Sequence, residues 1–283
     1  MIRKCAIFLL FLLLLGAALV AYSYLSVPDV ASLNRTNPGI TALMRQREAE
    51  SRRGGKKARR FQIWVPYRAI SESLKSAVLI GEDDAFFQHQ GIDYQQMKQS
   101  FIKDWEEKSF VRGGSTITQQ LAKNLYLSTS KNPLRKLKEF FIARRLEQKL
   151  GKRRIFEIYL NVIEWGYDIY GVQAASLTYF LKPASALNAR EAALLAAMIP
   201  NPRGMSPLRP SKRFLRRTNM VLARMRQYHH IDESQYEQAV SPESMGVDQE
   251  EPEGEGSPPA EASPDASPLP VEQWPENQPS KRP

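Results

Sequence analysis

Gly113 to Glu139 reads GGSTITQQLAKNLYLSTSKNPLRKLKE, and its spacing sets hydroxyl, amide, ammonium, guanidinium and carboxylate groups on two consecutive helices. A helix starting at Ser115 puts Ile117, Leu121 and Leu125 at every fourth position as a core-facing stripe. Thr116, Gln120, Lys123 and Asn124 then share an adjoining polar face. Asn132 before Pro133 reads as an N-cap with proline at the first helical position, and Gly151 as the left-handed residue closing that helix. Within it, Arg135 and Lys136 lie one turn before Glu139. Taken singly, each stripe is an amphipathic helix with a solvated polar face. Two such stripes joined by a short link, both with cations and the second with a carboxylate, point toward a phosphate or pyrophosphate group. Lysine supplies a point charge to such a group and arginine a bidentate fork.

The chain of 283 residues carries a formal net charge of +10 and one cysteine, Cys5, which lies in an apolar N-terminal stretch. A disulfide framework and a thiolate metal site are thereby excluded. From Cys5 to Leu25 the sequence is uncharged and leucine-rich for about 20 residues, enough to cross a hydrocarbon core. Arg3 and Lys4 precede it and favour a cytoplasmic N-terminus, with the rest of the chain across the membrane. An uncleaved anchor over residues 1–25 is the expectation. A cleaved signal peptide is the rival, because Ala21-Tyr22-Ser23 offers small residues at cleavage spacing.

Residues 26–60 read as a basic juxtamembrane linker rich in arginine, including Arg45, Arg47, Arg52, Arg53, Lys56, Lys57, Arg59 and Arg60. Such a cluster suits anionic lipid head groups or a charged lipid substrate. Nucleic acid is not expected as a partner, since no zinc, helix-turn-helix or RNP signature accompanies the charge. Residues 246–283 turn to Pro, Glu, Ser and Ala and read as a disordered acidic tail.

The body, residues 61–230, is mainly helical by pattern. Phe61 to Val65 alternates briefly, as a short strand or an extended lead-in. Ile70, Leu74, Ala77 and Val78 mark a helix ending near Gly81, and EDDAFFQHQGID follows from Glu82 to Asp93. That run is a surface turn or a functional site. In the second reading Glu82 sits at a helix C-terminus, where the dipole and the adjacent Asp83 and Asp84 raise its pKa toward that of a general base. His89 alone reads more readily as a hydrogen-bonded turn residue than as a ligand. Tyr94 to Phe110 is a packed helix or a flap whose aromatic residues reach a membrane interface. Gly171–Leu181 and Asn188–Ile199 read as two apolar helices, the second opened by an Asn188/Glu191 capping box. Arg213, Arg216, Arg217, Arg224 and Arg226 decorate a last helix as a solvated basic face.

Over Trp64 to Pro207 these residues resemble the membrane-anchored peptidoglycan glycosyltransferases, or biosynthetic transglycosylases. EDDAFFQHQGID is similar to the family's first motif, GGSTITQQLAKNLYL to the second, and RKLKEFF with IFEIYLNVIEWG to the third. GVQAASLTYFLK and REAALLAAMIPNP resemble the remaining two. The last departs from the pattern in having Met205 and Ser206 where an aromatic residue commonly follows the Asn-Pro pair. The resemblance implies a two-lobed, lysozyme-like, mainly α domain behind a single transmembrane helix. It implies polymerisation of lipid II into a growing β-1,4 glycan strand, on the periplasmic side of a bacterial inner membrane. By position, Glu82 matches the catalytic base and Glu139 a second catalytic carboxylate. Asp83, Phe86, His89, Thr116, Gln120, Lys123, Asn124, Arg135 and Lys136 match substrate-binding positions. No cofactor is required; a divalent cation, Mg or Mn, held partly by Glu139 is the alternative. Other cell-wall synthesis and division proteins are conceivable partners. The residues of a transpeptidase domain are missing, so the resemblance is to the monofunctional type. A lytic hydrolase and a non-catalytic membrane scaffold are the competing readings.

Overall fold

The computed structural model describes residues 2–95, 97–98, 114–130 and 132–241. The acidic tail and most of the Tyr94–Phe110 stretch lie outside the described residues.

Helix α1 (Ile2–Leu25) is apolar and uncharged beyond its first turn, and its side chains face outward rather than into the protein. Ser23 is the exception: it is buried, and its hydroxyl donates to the Leu19 carbonyl at 2.8 Å. The segment expected to be a linker carries structure of its own. Helix α2 (Ala42–Arg53) is capped by Thr41, whose hydroxyl accepts from the Met44 N–H, and it buries Leu43 and Met44. Val30 and Leu33 also enter the core. These four apolar residues are what the surrounding arginines hide from a reading by composition. Arg47 is itself drawn inward, to Glu164 at 3.0 Å and Glu50 at 2.9 Å, so the basic cluster is not one free patch.

Helix α3 (Glu72–Glu82) starts at a Ser71 cap and ends on Glu82. Helix α4 (Ile117–Tyr126) starts one residue past Thr116, which forms a capping box with Gln119. Helix α5 (Pro133–Lys149) begins as expected, with Asn132 accepting from the Leu134 N–H at 2.9 Å. It does not end on a left-handed glycine. Leu150 is the C-cap in an extended conformation, and Gly151, at φ −74° and ψ 152°, is already the N-cap of α6 (Lys152–Val162). The chain passes straight from one helix into the next, so no reversing turn is needed.

Three short strands, β1 (Phe61–Gln62), β2 (Glu164–Gly166) and β3 (Ile169–Tyr170), form a small sheet in the order β1-β3-β2. β1 runs parallel to β3 with Phe61 opposite Ile169, and β2 runs antiparallel to β3 with an irregularity between Glu164 and Gly166. Helices α7 (Val172–Phe180), α8 (Ala189–Met198), α9 (Lys212–Gln227) and α10 (Glu233–Val240) complete the described body.

The protein is mainly helical, and its helix contacts sort into two sets. In one, α3 packs on α8 and α9, and α10 closes behind them; in the other, α4 packs on α2, α5 and α6, with the end of α1 on α5. The alanines of α8, Ala192, Ala193, Ala196 and Ala197, are buried and let α3 lie close. One continuous apolar cluster runs through both sets, so the packing does not by itself establish a division into two lobes.

Candidate active site

Glu82 is the last residue of α3, and its side chain is only 10% exposed. Its Oε2 accepts from the Gln120 side-chain amide at 2.8 Å, and its Oε1 lies 3.5 Å from a guanidinium nitrogen of Arg217 on α9. Tyr159 on α6 donates its hydroxyl to Gln120 Oε1 at 2.9 Å, which fixes the amide so that its NH2 points at Glu82. Burial pushes the Glu82 carboxyl above the usual carboxylate range. The Gln120 hydrogen bond and the charges of Arg217 and Lys123 pull the other way, while Asp83 adds to the rise. Asp84 has no part in it, being bound to Arg224 at 2.7 Å. Burial also pushes Tyr159 well upward, with Glu82 and Asp83 adding to the shift, so its hydroxyl stays a donor.

Glu139 lies on α5, almost fully buried, with Arg135 Nη1 at 2.6 Å from one oxygen and Lys136 Nζ at 2.5 Å from the other. Lys136 also donates to Ser115 Oγ at 3.0 Å, and Arg135 Nε to the Ser130 carbonyl at 2.6 Å. Lys123, on the face of α4 that also carries Gln120, feels both carboxylates. Burial lowers its pKa, Glu139 and Glu82 raise it, and Arg135 and Lys136 lower it further. Glu82 and Glu139 are thus linked electrostatically through one lysine.

The remaining residues expected at the site divide differently. Asp83 is buried; its carboxylate accepts from His89 Nε2 at 2.9 Å and from the Ile117 N–H at 2.9 Å, at the start of α4. The Gly91 N–H donates to His89 Nδ1 at 3.1 Å, so the ring is the tautomer with its proton on Nε2. Thr116 does not share the face of Gln120 and Lys123: its hydroxyl donates to the Gly91 carbonyl at 2.6 Å and accepts from the Gln119 N–H. Gly91 has φ +88°, and a Cβ there would fall 2.9 Å from Glu147 Cγ, so this turn requires glycine. Phe86 is fully buried against Phe156, and Asn124 is buried on α4. Asp83, Phe86, His89 and Thr116 therefore form a frame that joins the end of α3 to the start of α4, placing Glu82 within reach of Gln120.

Three neighbours of the site were not singled out by the sequence: Ser115, Tyr159 and Arg217. Arg217 and Arg224 are seven residues apart on α9, two turns along one face, and both reach back to the end of α3. Arg224 donates to the Ile80 carbonyl at 2.9 Å as well as to Asp84. That spacing was the available signal, and a generic basic face concealed it.

Among the described residues no group of three or more His, Cys, Asp or Glu is placed to hold a metal ion. Glu139, the expected ligand, has both oxygens engaged by cations. This donor set does not fit a divalent ion held by the protein.

A buried carboxylate of raised pKa lies beside Gln120, Lys123 and Arg217, and a second carboxylate, held by Arg135 and Lys136, acts on the same Lys123. The transglycosylase family profile matches residues 49–226, and the chain belongs to that family. It is 46% identical over 190 residues to the biosynthetic peptidoglycan transglycosylase of Methylobacillus flagellatus, covering 67% of this chain and 83% of that protein. It is 43% identical over 211 residues to the protein of the same name from Chromobacterium violaceum, covering 75% and 92%. Penicillin-binding protein 1A from Haemophilus influenzae overlaps at TM-score 0.38 and 25% identity. That match spans 64% of this chain and 17% of that one, too slight a superposition to bear on the fold. The activity is peptidoglycan glycosyl transfer, and the single apolar N-terminal helix suits a membrane anchor.

Proposed function

We propose that the enzyme polymerises lipid II, with Glu82 as general base. The 4-hydroxyl of the acceptor GlcNAc attacks the anomeric carbon of the donor MurNAc, and Glu82 takes the hydroxyl proton. The new C–O bond forms as the bond from that carbon to the pyrophosphate oxygen breaks, and undecaprenyl pyrophosphate leaves with the electron pair. Attack opposite an α-linked pyrophosphate gives a β-1,4 bond and inverts the centre, with no covalent enzyme intermediate. Lys123, Arg135 and Lys136 offset the charge growing on the leaving group. Glu139 acts through them: with both oxygens occupied it orients the guanidinium and ammonium and takes no proton itself. The enzyme works on the periplasmic face of the inner membrane.

The observation that carries this reading is the position of Glu82. It is a nearly buried carboxyl with raised pKa, held by an amide whose own orientation is fixed, beside cations suited to a pyrophosphate. A base with a pKa nearer to neutral removes a proton more effectively than an ordinary carboxylate. The test is a denaturing gel of products from fluorescent lipid II, with the native enzyme and Glu82→Gln. A ladder of glycan chains from the native enzyme and none from the variant, with lipid II binding retained, is expected. Near-normal turnover by the variant would remove Glu82 from the mechanism. Soluble muropeptides released from purified sacculi would replace polymerisation with hydrolysis.

A further inference from the structure

We propose that the junction of α1 with α5 is a binding site for the phosphate head group of an anionic membrane phospholipid, separate from the cations around Glu139. The apolar run from Cys5 to Leu25 is about 31 Å long at 1.5 Å per residue, the thickness of a hydrocarbon core of about 30 Å. With Arg3 and Lys4 at one surface, Tyr22 and Tyr24 fall at the other, where aromatic residues anchor membrane helices. There α1 docks on α5. Tyr24 meets Phe141 edge to face at 5.5 Å, and the Lys138 ammonium sits 4.4 Å over the Tyr22 ring.

Beside this contact lies a cavity of about 310 Å³ whose lining includes Tyr24, Val27, Phe140, Phe141, Arg144 and Arg145. Arg144 and Arg145 form no ion pair among the described residues. The acids on their own helix are taken: Glu147 by Lys152 at 2.8 Å and Thr118, and Glu139 by Arg135 and Lys136. Two guanidiniums therefore line a cavity with no internal anion, at the level where α1 leaves the bilayer. A phosphodiester suits their forked donors. The aromatic half of the wall and the outward leucines of α1 give the lipid an apolar contact that a free phosphate lacks. The site also ties the helix bearing the catalytic cations to the membrane surface.

The proposal rests on α1 standing in a membrane, and the experiment separates the two. Full-length protein is reconstituted into vesicles and tested for resistance to alkaline extraction. Retention of phosphatidylglycerol against phosphatidylcholine is then measured by native mass spectrometry from detergent. The native chain is expected to resist extraction and to prefer phosphatidylglycerol. Arg144→Gln with Arg145→Gln is expected to weaken that binding roughly thirtyfold, the contribution of two basic side chains at an anionic surface. Paired lysine substitutions keep most of it, and millimolar inorganic phosphate does not displace the lipid. The control is Arg213→Gln with Arg216→Gln on the exposed face of α9, expected to change nothing. Four results overturn the site: unchanged binding in the Arg144/Arg145 variant, an equal loss in the control, displacement by inorganic phosphate, or equal affinity for both lipids. Extraction of the native chain would overturn the anchor and the site together.

Discussion

Arg217→Gln tests whether the Glu82 base is tuned from α9. The guanidinium nitrogen stands 3.5 Å from a Glu82 oxygen, and its charge is one of the influences that pull the raised carboxyl pKa back down. Two unit charges at that separation attract by about 1.2 kcal/mol even at the dielectric of water, a factor of roughly 7 in the ionised fraction. The Glu82 side chain is largely buried, so this is a lower bound. The base works only when ionised, so its activity falls as pH drops through its pKa; losing Arg217 moves that fall to higher pH. On the acid limb the variant is expected to polymerise lipid II at least about sevenfold more slowly than the native enzyme, with the gap closing on the alkaline plateau. Arg217→Lys, which keeps the charge, is expected to restore much of the profile. The assay is initial polymerisation rate from fluorescent lipid II across pH 5 to 9 at fixed ionic strength. An equal loss at every pH would mean that Arg217 contacts substrate rather than tuning the base, and an unchanged profile would mean that it does neither.

Glu82→Gln is expected to be more stable than the native chain at pH 8. The folded pKa lies above the unfolded one, so the ionised carboxylate costs stability above both values, and this cost disappears as pH falls through the folded pKa. A gain of about 0.5–2 kcal/mol, read as a rise in Tm that shrinks on acidification, is expected; a gain independent of pH would contradict the burial argument. Lys136→Ala separates catalysis from folding. Its side chain is 49% exposed but its partner Glu139 is buried and still held by Arg135, so its loss is expected to cost about 1–3 kcal/mol of stability, while loss of a charge donor at the leaving group is expected to cost about 10²–10³ in single-turnover rate. A large fall in Tm without that rate loss would reverse the assignment. Asp83→Asn tests the frame: a buried carboxylate that accepts from His89 and the Ile117 N–H is weakened at both contacts, for about 1–3 kcal/mol. Turnover should fall with intact lipid II binding, since α4 no longer holds Gln120 squarely on Glu82. Unchanged turnover in a destabilised variant would confine Asp83 to folding.

What could be read from the sequence follows from the range of the forces involved. The Glu139 cluster was legible because Arg135, Lys136 and Glu139 are neighbours on one helix, and helical periodicity alone brings them together. The helix order, the caps at Asn132 and Asn188, and the outward-facing α1 are likewise local properties. The helix expected from Ser115 starts two residues later, at Ile117, which makes Thr116 its cap rather than a member of the Gln120 face. The links that complete the site are long-range and leave no periodic trace: Tyr159 to Gln120 spans 39 positions and Arg217 to Glu82 spans 135. The core role of residues 26–60 was hidden for another reason, since Val30, Leu33, Leu43 and Met44 are a few apolar side chains within a passage dominated by charge.

In the proposed mechanism the two buried carboxylates take different tasks. Glu139 has a cation on each oxygen, and its geometry is fully committed. Glu82 has an amide on one oxygen and a looser guanidinium on the other, and burial keeps it short of charge compensation. The uncompensated carboxylate is the one that can gain from accepting a proton; the compensated one gains nothing and serves to aim its partners. Lys123 lies in the field of both. In the proposed reaction, Glu82 takes the acceptor's proton as the pyrophosphate leaves, and Lys123 then keeps Glu139 as its remaining anionic neighbour. The proposed mechanism thereby couples deprotonation at one end of the site with charge stabilisation at the other through this lysine.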